Sequence, residues 1–175
     1  MTDERSIPHY HINMASLIQV CAWLDELRAS REELAGKSVL DALLTPTRIY
    51  VKPVRAVVES VPGAVRALAH ITGGGITENL DRALPKMCDA AVELGAWPVP
   101  PVAAYVCKQA NLDETEALKT FNMGIGLVLI VDPKAADAVE AKLAELGEKT
   151  FRIGEVVEGQ GVVRYRNQGG LYAYA

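Results

Sequence analysis

The chain has 175 residues, of which 50% are hydrophobic, so it is long enough for one domain with a full core and too apolar to be disordered throughout. Its formal net charge of -4 disfavours a general nucleic-acid or anionic-membrane surface. No apolar run approaches the roughly 20 residues of a membrane-spanning helix, and residues 1–8 lack the apolar segment of a signal peptide. We therefore expect a cytoplasmic protein without nucleic-acid or membrane partners.

The order of predicted elements indicates one domain. Residues 1–10 carry no periodic signal and are interpreted as a loose leader, followed by a domain over 11–166 and a tail over 167–175 that is not expected to matter chemically. Apolar residues recur at helical spacing over 16–34, which predicts an amphipathic helix ended by Gly36. The same spacing, with capping residues and prolines, predicts further helices over 39–44, 53–61, 76–84, 102–110, 113–119 and 132–146.

Alternating and continuous apolar runs predict the strands. A period of two over 65–72 and a weaker one over 87–94 indicate strands, and the run 127–131 indicates a buried strand. Residues 151–157 and 162–165 are joined by a glycine-containing turn, which predicts a hairpin. The sequence therefore predicts an α/β fold, with helices sandwiching a mixed sheet.

Cysteine and histidine spacing gives no metal site. Cys21, Cys88 and Cys107 are odd in number and widely spaced, so buried reduced thiols are the better interpretation. His9 and His11 have no acidic or cysteine partner nearby, and we expect no metal there.

Three adjacent glycines separate the strand over 65–72 from the helix that follows. Gly73, Gly74 and Gly75 leave the backbone uncovered, and the first amides of a helix are unpaired and partly positive. This arrangement suits a phosphate or another anion. A plain strand-to-helix turn is the alternative, and the two are about equally supported by these residues alone.

Two other segments contain residues that could bind a ligand. Arg48 lies in the stiff connector 45–50, where it could bind a phosphate or carboxylate or simply lie on the surface. Gly124 and Gly126 share one face at the start of the strand over 127–131. A face without side chains admits either a neighbouring helix or a flat ligand.

Four segments in this order closely resemble the signature of phosphoribosylformylglycinamidine cyclo-ligase, also called aminoimidazole ribonucleotide synthetase. The segments are Leu43–Tyr50, His70–Pro85, Thr120–Gly126 and Ile153–Val156. The resemblance covers about residues 11–166 but only the C-terminal half of that family.

The resemblance implies a three-layer α/β/α sandwich around a mixed sheet, with partial similarity to the ferredoxin-like fold. It also implies an enzyme of purine biosynthesis that uses ATP and Mg²⁺ to activate the formyl-amide oxygen of its phosphorylated ribose amidine substrate. An amidine nitrogen then closes the imidazole ring, releasing ADP and phosphate. The family is a homodimer assembled through its N-terminal halves, which also carry the acidic metal ligands.

The resemblance assigns roles to individual residues. His70 and Asn79 are the catalytic candidates: the imidazole would donate to a phosphate or shuttle a proton, and the amide would orient the substrate. For His70 alone, a core histidine is the alternative. The substrate- and nucleotide-binding candidates are Arg48, Thr72, Gly73, Gly74, Gly75, Asn122, Gly124 and Gly126.

Some residues depart from the family pattern. The family has serine and glycine in its His-Ser-Asn-Gly segment, where this chain has Ile12 and Met14. If this segment forms a turn that lines the substrate cleft, the two larger side chains would block the cleft. The acidic N-terminal half is not in the sequence, so the chain is a fragment, a split gene product that would need that half as a partner, or a decayed copy. We expect no ATP-dependent ring closure from the chain by itself.

Two hypotheses therefore stand. The chain is either the C-terminal domain of the cyclo-ligase or a non-catalytic ligand-binding or assembly module derived from it. Selenophosphate synthetase and thiamine-monophosphate kinase are disfavoured by the Thr-Pro-Thr-Arg and His-Ile-Thr-Gly-Gly-Gly segments at 45–48 and 70–75.

Overall fold

A computed structural model describes residues 14–167 and 169–172, with side chains from Cys21 onward. The predicted leader, Ile12 and the side chain of Met14 lie outside this description. The chain divides into two compact units, 1–45 and 46–175. Within the described ranges, every helix is too short or too polar to cross a bilayer.

From residue 14 onward, the first unit has two α-helices, α1 (Met14–Arg28) and α2 (Val39–Leu43). The prediction of one helix as far as residue 34 is wrong, because α1 ends at Arg28 and a separate 3-10 turn spans Glu32–Leu34. The chain reverses there: the Arg31 amide donates to Lys37 O at 3.0 Å, and Gly36 adopts a left-handed conformation with φ 80°. A backbone that turns back on itself cannot continue the helical hydrogen bonds.

The second unit mixes helices and strands, which confirms the α/β fold class. Its helices are α3 (Val51–Ser60), α4 (Gly75–Asp81), α5 (Pro101–Gln109), α6 (Glu114–Thr120) and α7 (Ala136–Glu145). Its strands are β1 (Val65–His70), β2 (Cys88–Glu93), β3 (Leu127–Val131), β4 (Gly154–Glu158) and β5 (Val163–Arg166).

The Asp113 side chain caps the start of α6 as predicted, whereas Asp132 caps a separate 3-10 turn over Pro133–Ala135 and α7 begins only at Ala136. The Asp113 carboxylate accepts from the Glu116 amide at 2.8 Å, and the Asp132 carboxylate accepts from the Lys134 amide at 3.0 Å. Helix α3 begins two residues before the predicted Pro53, because a proline in the first turn lacks only an N–H that would have no helical partner.

The strands form two sheets. In the first, β1 and β3 are antiparallel, with Val65 opposite Val131 and His70 opposite Leu127. In the second, β2 is central, antiparallel to β4 on one side and parallel to β5 on the other. The predicted hairpin of β4 and β5 is therefore wrong, since β2 lies between them.

One buried carboxylate explains this strand order. Asp89, at the start of β2, accepts hydrogen bonds from the Gln160 amide at 2.7 Å, the Val162 amide at 3.0 Å and the Arg164 side chain. A β-carbon on Gly159 would overlap this carboxylate. The loop between β4 and β5 is thus held across the end of β2, and β5 is delivered to the far edge of β2.

Two apolar clusters make up the core of the second unit. The larger includes Trp97, whose indole Nε1 donates to Met123 O at 2.9 Å. The smaller joins α3 to α7 through Val57, Val139 and Leu143. Because the Trp97 hydrogen bond satisfies its buried N–H, the indole can lie in the larger core without an unpaired polar group.

Two predictions about buried residues need correction or extension. Buried thiols are confirmed for Cys107 alone, since Cys21 is exposed and Cys88 is half-buried. The predicted tail contributes to the core through Leu171, which is 1% exposed. Glu114 holds this segment by accepting from the Leu171 amide at 3.2 Å.

Candidate functional site

Tyr50 brings three of the resembling segments together. Its ring meets the ring of His70 edge-on, with centroids 6.0 Å apart and an interplanar angle of 66°. Its hydroxyl lies over Gly126, where a β-carbon would overlap it. The connector 45–50, the end of β1 and the glycine segment before β3 therefore meet at one residue.

Tyr50 was not among the predicted site residues. Two features of the sequence could have indicated this contact. One is an aromatic residue two positions after Arg48, and the other is a glycine, Gly126, that leaves room for an aromatic side chain. Sequence alone does not pair these two features, because they are separated by most of the domain.

His70 is exposed at the end of β1. Its cross-strand partner is Leu127, next to Gly126 in the chain. The alternative of a core histidine is therefore wrong, and the imidazole is accessible to a ligand.

The three glycines of the β1–α4 junction have three different environments. Gly73 is exposed, and a β-carbon there would meet no atom within 4 Å. Gly74 has φ 92°, a conformation that L side chains rarely adopt. Gly75 is buried, and a β-carbon there would overlap the Leu118 carbonyl of α6. Gly73 is thus the glycine whose backbone faces open space.

Asn79 holds this junction together from within α4. Its Nδ2 donates to the Gly75 carbonyl at 2.8 Å and to the Gly73 carbonyl at 3.0 Å. Its Oδ1 lies 3.5 Å from the hydroxyl of the exposed Thr72. The Asn79 amide is engaged by its own loop in this structure, and a role in orienting substrate stays a prediction.

Arg48 forms an ion pair. Its guanidinium lies 2.9 Å from Glu148 Oε2, and the two side chains are 56% and 17% exposed. An anion that binds Arg48 would have to compete with Glu148 for the guanidinium.

The glycine face before β3 is occupied by the chain's own residues. Asn122 is exposed and its Oδ1 accepts from the Gly124 amide at 3.0 Å, and a β-carbon on Gly124 would lie 2.6 Å from Pro100 Cδ. Gly126 is covered by Tyr50. This face is closely packed by the proline link and a tyrosine rather than by a helix, and ligand binding at Gly124 and Gly126 stays a prediction.

A cleft of about 830 Å³ runs between the two sheets of the second unit. Arg48, Gly124 and Gly126 line it, whereas residues 72–75 do not. The predicted binding residues are therefore divided between this cleft and an exposed glycine junction.

Within the described ranges, no group of three or more His, Cys, Asp or Glu residues could hold a metal ion. The described residues therefore do not supply a donor set for the Mg²⁺ that the resemblance implies.

Comparison with known proteins identifies the family. Residues 6–166 match the family model described as AIR synthase related protein, C-terminal domain. The chain is 43% identical over 157 residues to a phosphoribosylformylglycinamidine cyclo-ligase of Brevibacillus brevis, a match that covers 89% of this chain and 45% of that protein. Among solved structures, the crystal structure of E. coli HypE, a hydrogenase maturation protein, has a TM-score of 0.55 and 29% identity, covering 81% of this chain and 45% of that one.

The chain thus spans less than half the length of each of these two relatives. The predicted resemblance and fold class are confirmed by these matches. By its residues 6–166, the chain belongs to the AIR synthase related family through that family's C-terminal domain.

Proposed function

We propose that this chain supplies the C-terminal domain of an ATP-dependent phosphoribosylformylglycinamidine cyclo-ligase. The reaction converts formylglycinamidine ribonucleotide and ATP to aminoimidazole ribonucleotide, ADP and phosphate, a step of purine biosynthesis in the cytoplasm. The observation that carries the proposal is the 43% identity to a cyclo-ligase along 157 residues of this chain.

The geometry around Tyr50 supports a ligand site near the residues that the resemblance assigns to binding and catalysis. Tyr50 brings exposed His70 next to Gly126, and Gly126 lines the cleft together with Arg48. An exposed imidazole can donate to a phosphate or carry a proton. Arg48 would bind a phosphate oxygen after exchanging its bond with Glu148.

The exposed backbone at Gly73 would provide the second anion contact. Asn79 fixes the Gly73 and Gly75 carbonyls, so the loop is held in one conformation before any ligand arrives. Phosphoryl transfer depends mainly on positioning and on neutralising charge, and a pre-ordered loop serves the first need. The metal donors, and the homodimer contacts expected for the family, would come from the part of the enzyme that this chain does not match.

The test is complementation with the missing part of the relative. The chain would be mixed with the N-terminal part of the Brevibacillus cyclo-ligase, and ADP and aminoimidazole ribonucleotide would be measured. We expect no turnover from either polypeptide alone and ATP-dependent turnover from the mixture. A correctly folded mixture that binds together but forms no product would contradict the proposal.

Gly73→Val is the matched variant for the glycine junction. The added side chain enters open space and leaves the fold intact, yet it covers the backbone that would bind the anion. Gly74→Val is less informative, because φ 92° at that position makes the variant strained regardless of function. Turnover in the mixture should fall for Gly73→Val while its thermal unfolding stays unchanged.

A non-catalytic ligand-binding module is the second candidate. It is favoured by the Arg48–Glu148 ion pair and by the position of residues 72–75 away from the cleft, which separate the two anion contacts. This candidate predicts binding of ribose 5-phosphate without turnover in the complemented mixture. Calorimetric titration of the same mixture distinguishes the two.

A further inference from the structure

The Tyr50 ring is the neighbour that constrains the His70 imidazole. Within residues 14–167 and 169–172, this edge-on contact is the only hydrogen bond, ion pair or ring contact that the imidazole makes. His70 is exposed, so solvent rather than packed side chains surrounds much of it. Exposed side chains without a specific contact exchange rapidly between staggered rotamers. The orientation of this imidazole therefore depends on Tyr50.

Tyr50 is itself fixed at both ends. Its carbonyl accepts from the Val54 amide at 3.1 Å, which holds its backbone at the start of α3. Its side chain is half-buried, and its hydroxyl lies against Gly126, where a β-carbon would overlap it. The tyrosine ring thus has less freedom than the exposed imidazole that it meets.

The backbone beneath the tyrosine hydroxyl is tied to the strand that carries the histidine. The Gly126 carbonyl accepts from the Ile71 amide at 2.9 Å, and Leu127 is paired with His70 across the strands. These bonds set the position of Gly126 relative to the backbone of His70. A ring that reaches from α3 to Gly126 therefore meets the imidazole in a defined orientation.

We propose that Tyr50 is a positioning residue, which holds the His70 imidazole in the conformer that reaches the ligand. The inference rests on the proposed function for the role of His70 as a proton donor or carrier. It gives Tyr50 a task that is carried out through His70, without a contact between the tyrosine and the reacting atoms.

The strength of the contact gives the size of the expected effect. The 6.0 Å separation of the centroids is within the range of edge-to-face aromatic pairs. The attraction in such pairs is enough to favour one conformer by about two- to twelvefold. A proton donor acts only when it is within hydrogen-bond reach of the reacting atom, so turnover should fall by about the same factor when the ring is removed.

The first test measures the rotamer of His70 in the full chain by NMR. The chain has three histidines, and the His70 signals are those that disappear in His70→Gln. Three-bond couplings across χ1 of His70 should indicate one dominant rotamer in the wild type and in Tyr50→Phe, which keeps the ring. In Tyr50→Leu, which removes the ring, the couplings should be averaged over several rotamers.

Two further variants separate positioning from loss of stability. Val57→Ala is the control, because Val57 is buried in the smaller core, which contains neither ring. It should lower the melting temperature and leave the His70 couplings unchanged. Gly126→Ala displaces the tyrosine while keeping both rings, so it should average the couplings even if Tyr50→Leu fails to fold.

The second test measures turnover in the complemented mixture. Tyr50→Leu should lower kcat by about two- to twelvefold and leave KM within about twofold, because the conformer and not ligand binding is affected. Tyr50→Phe should restore kcat to within about twofold of the wild type. In a His70→Ala background, Tyr50→Leu should cause no further loss, since it acts through the missing imidazole.

Several results would overturn the positioning role. They are unchanged His70 couplings in both Tyr50→Leu and Gly126→Ala, an equal loss of kcat in Tyr50→Phe and Tyr50→Leu, or a full further loss in the His70→Ala background. The second of these would indicate that the tyrosine hydroxyl contacts the ligand directly.

The two tests also separate this inference from the proposed function. Averaged couplings in Tyr50→Leu, with no product from any mixture, would sustain the positioning of His70 and reject the cyclo-ligase function. Product formation that Tyr50→Leu leaves intact would sustain the function and reject the positioning role. Averaged couplings together with a lower kcat in Tyr50→Leu, both restored in Tyr50→Phe, would support both.

Discussion

The hydroxyl of Tyr50 occupies the space into which any side chain on Gly126 would project. The same tyrosine packs edge-on against His70. A methyl group at residue 126 would therefore move the tyrosine and, through it, the environment of the candidate catalytic histidine.

We predict that Gly126→Ala lowers the free energy of unfolding by about 1–3 kcal/mol through overpacking. Urea denaturation measures the effect, and Gly73→Ala, which adds its methyl group in open space, is the control. In a Tyr50→Phe background the nearest clashing atom is gone, so the cost of Gly126→Ala should shrink. Equal costs in both backgrounds would show that the Tyr50 hydroxyl is not the obstacle.

Asp89 should make the free energy of unfolding depend on pH in the acidic range. Backbone donors at Gln160 and Val162, then the Arg164 side chain, lower the pKa of its carboxyl from 3.8 to about 2. A carboxyl whose pKa is lower in the folded state stabilises fully above its unfolded pKa and loses that contribution as pH falls towards its folded pKa. The relevant window therefore runs from about pH 4 down to about pH 2.

Asp89→Asn should flatten the pH dependence of the melting temperature in that window and lower the temperature itself at pH 7. Arg164→Gln keeps both backbone donors, which are the largest causes of the shift, and should retain most of the pH dependence. If Arg164→Gln flattened the curve as fully as Asp89→Asn, the ion pair rather than the loop amides would hold the carboxylate.

Asn79→Ala should loosen the glycine junction. The variant leaves the Gly73 and Gly75 carbonyls without their side-chain donor, at a cost of about 1 kcal/mol. Hydrogen exchange should accelerate in residues 72–75, and ligand binding should weaken with it. Weaker binding with unchanged exchange would instead indicate direct contact between Asn79 and the ligand.

Glu148→Gln should free Arg48 for anions. Surface ion pairs are typically worth at most about 1 kcal/mol, so the affinity for ribose 5-phosphate should rise by no more than about fivefold. Glu59→Gln is the control, because Glu59 pairs with Arg55 and neither residue lines the cleft. Calorimetry at low and high salt measures both variants, and the gain should shrink as salt rises. An equal gain from the control would indicate a general charge effect.

Leu171→Ala should destabilise the domain although residue 171 lies in the predicted tail. Removing a side chain that is 1% exposed typically costs about 2–5 kcal/mol. Leu146→Ala is a suitable comparison, because Leu146 is 47% exposed. Similar urea midpoints for the two variants would place residue 171 outside the core.

Local signals in the sequence predicted the local structure well. The strand predicted over 65–72 is observed at Val65–His70, and both Asp113 and Asp132 accept from a nearby backbone amide. Alternation and short-range hydrogen bonds involve only neighbouring residues, so the sequence records them directly. The glycines at 73–75 marked the β1–α4 junction correctly, although each has a different environment.

Long-range contacts explain what the sequence did not predict. The turn between β4 and β5 resembles a hairpin turn, but Asp89, about 70 residues earlier in the chain, holds it across β2. Tyr50 and Gly126 are similarly remote from each other. The periodicity of apolar residues does not predict such long-range contacts, because they depend on the three-dimensional path of the chain.

The central position of β2 has a consequence for synthesis of the protein on the ribosome. Both hydrogen-bonding edges of β2 are completed by strands that lie more than sixty residues later in the chain, at 154–158 and 163–166. Until those residues emerge, the apolar Ala90–Val92 stretch remains an unpaired strand. The nascent chain is therefore open to misassociation at that stretch until residues 154–166 have emerged, and a chaperone bound there during that interval would protect it.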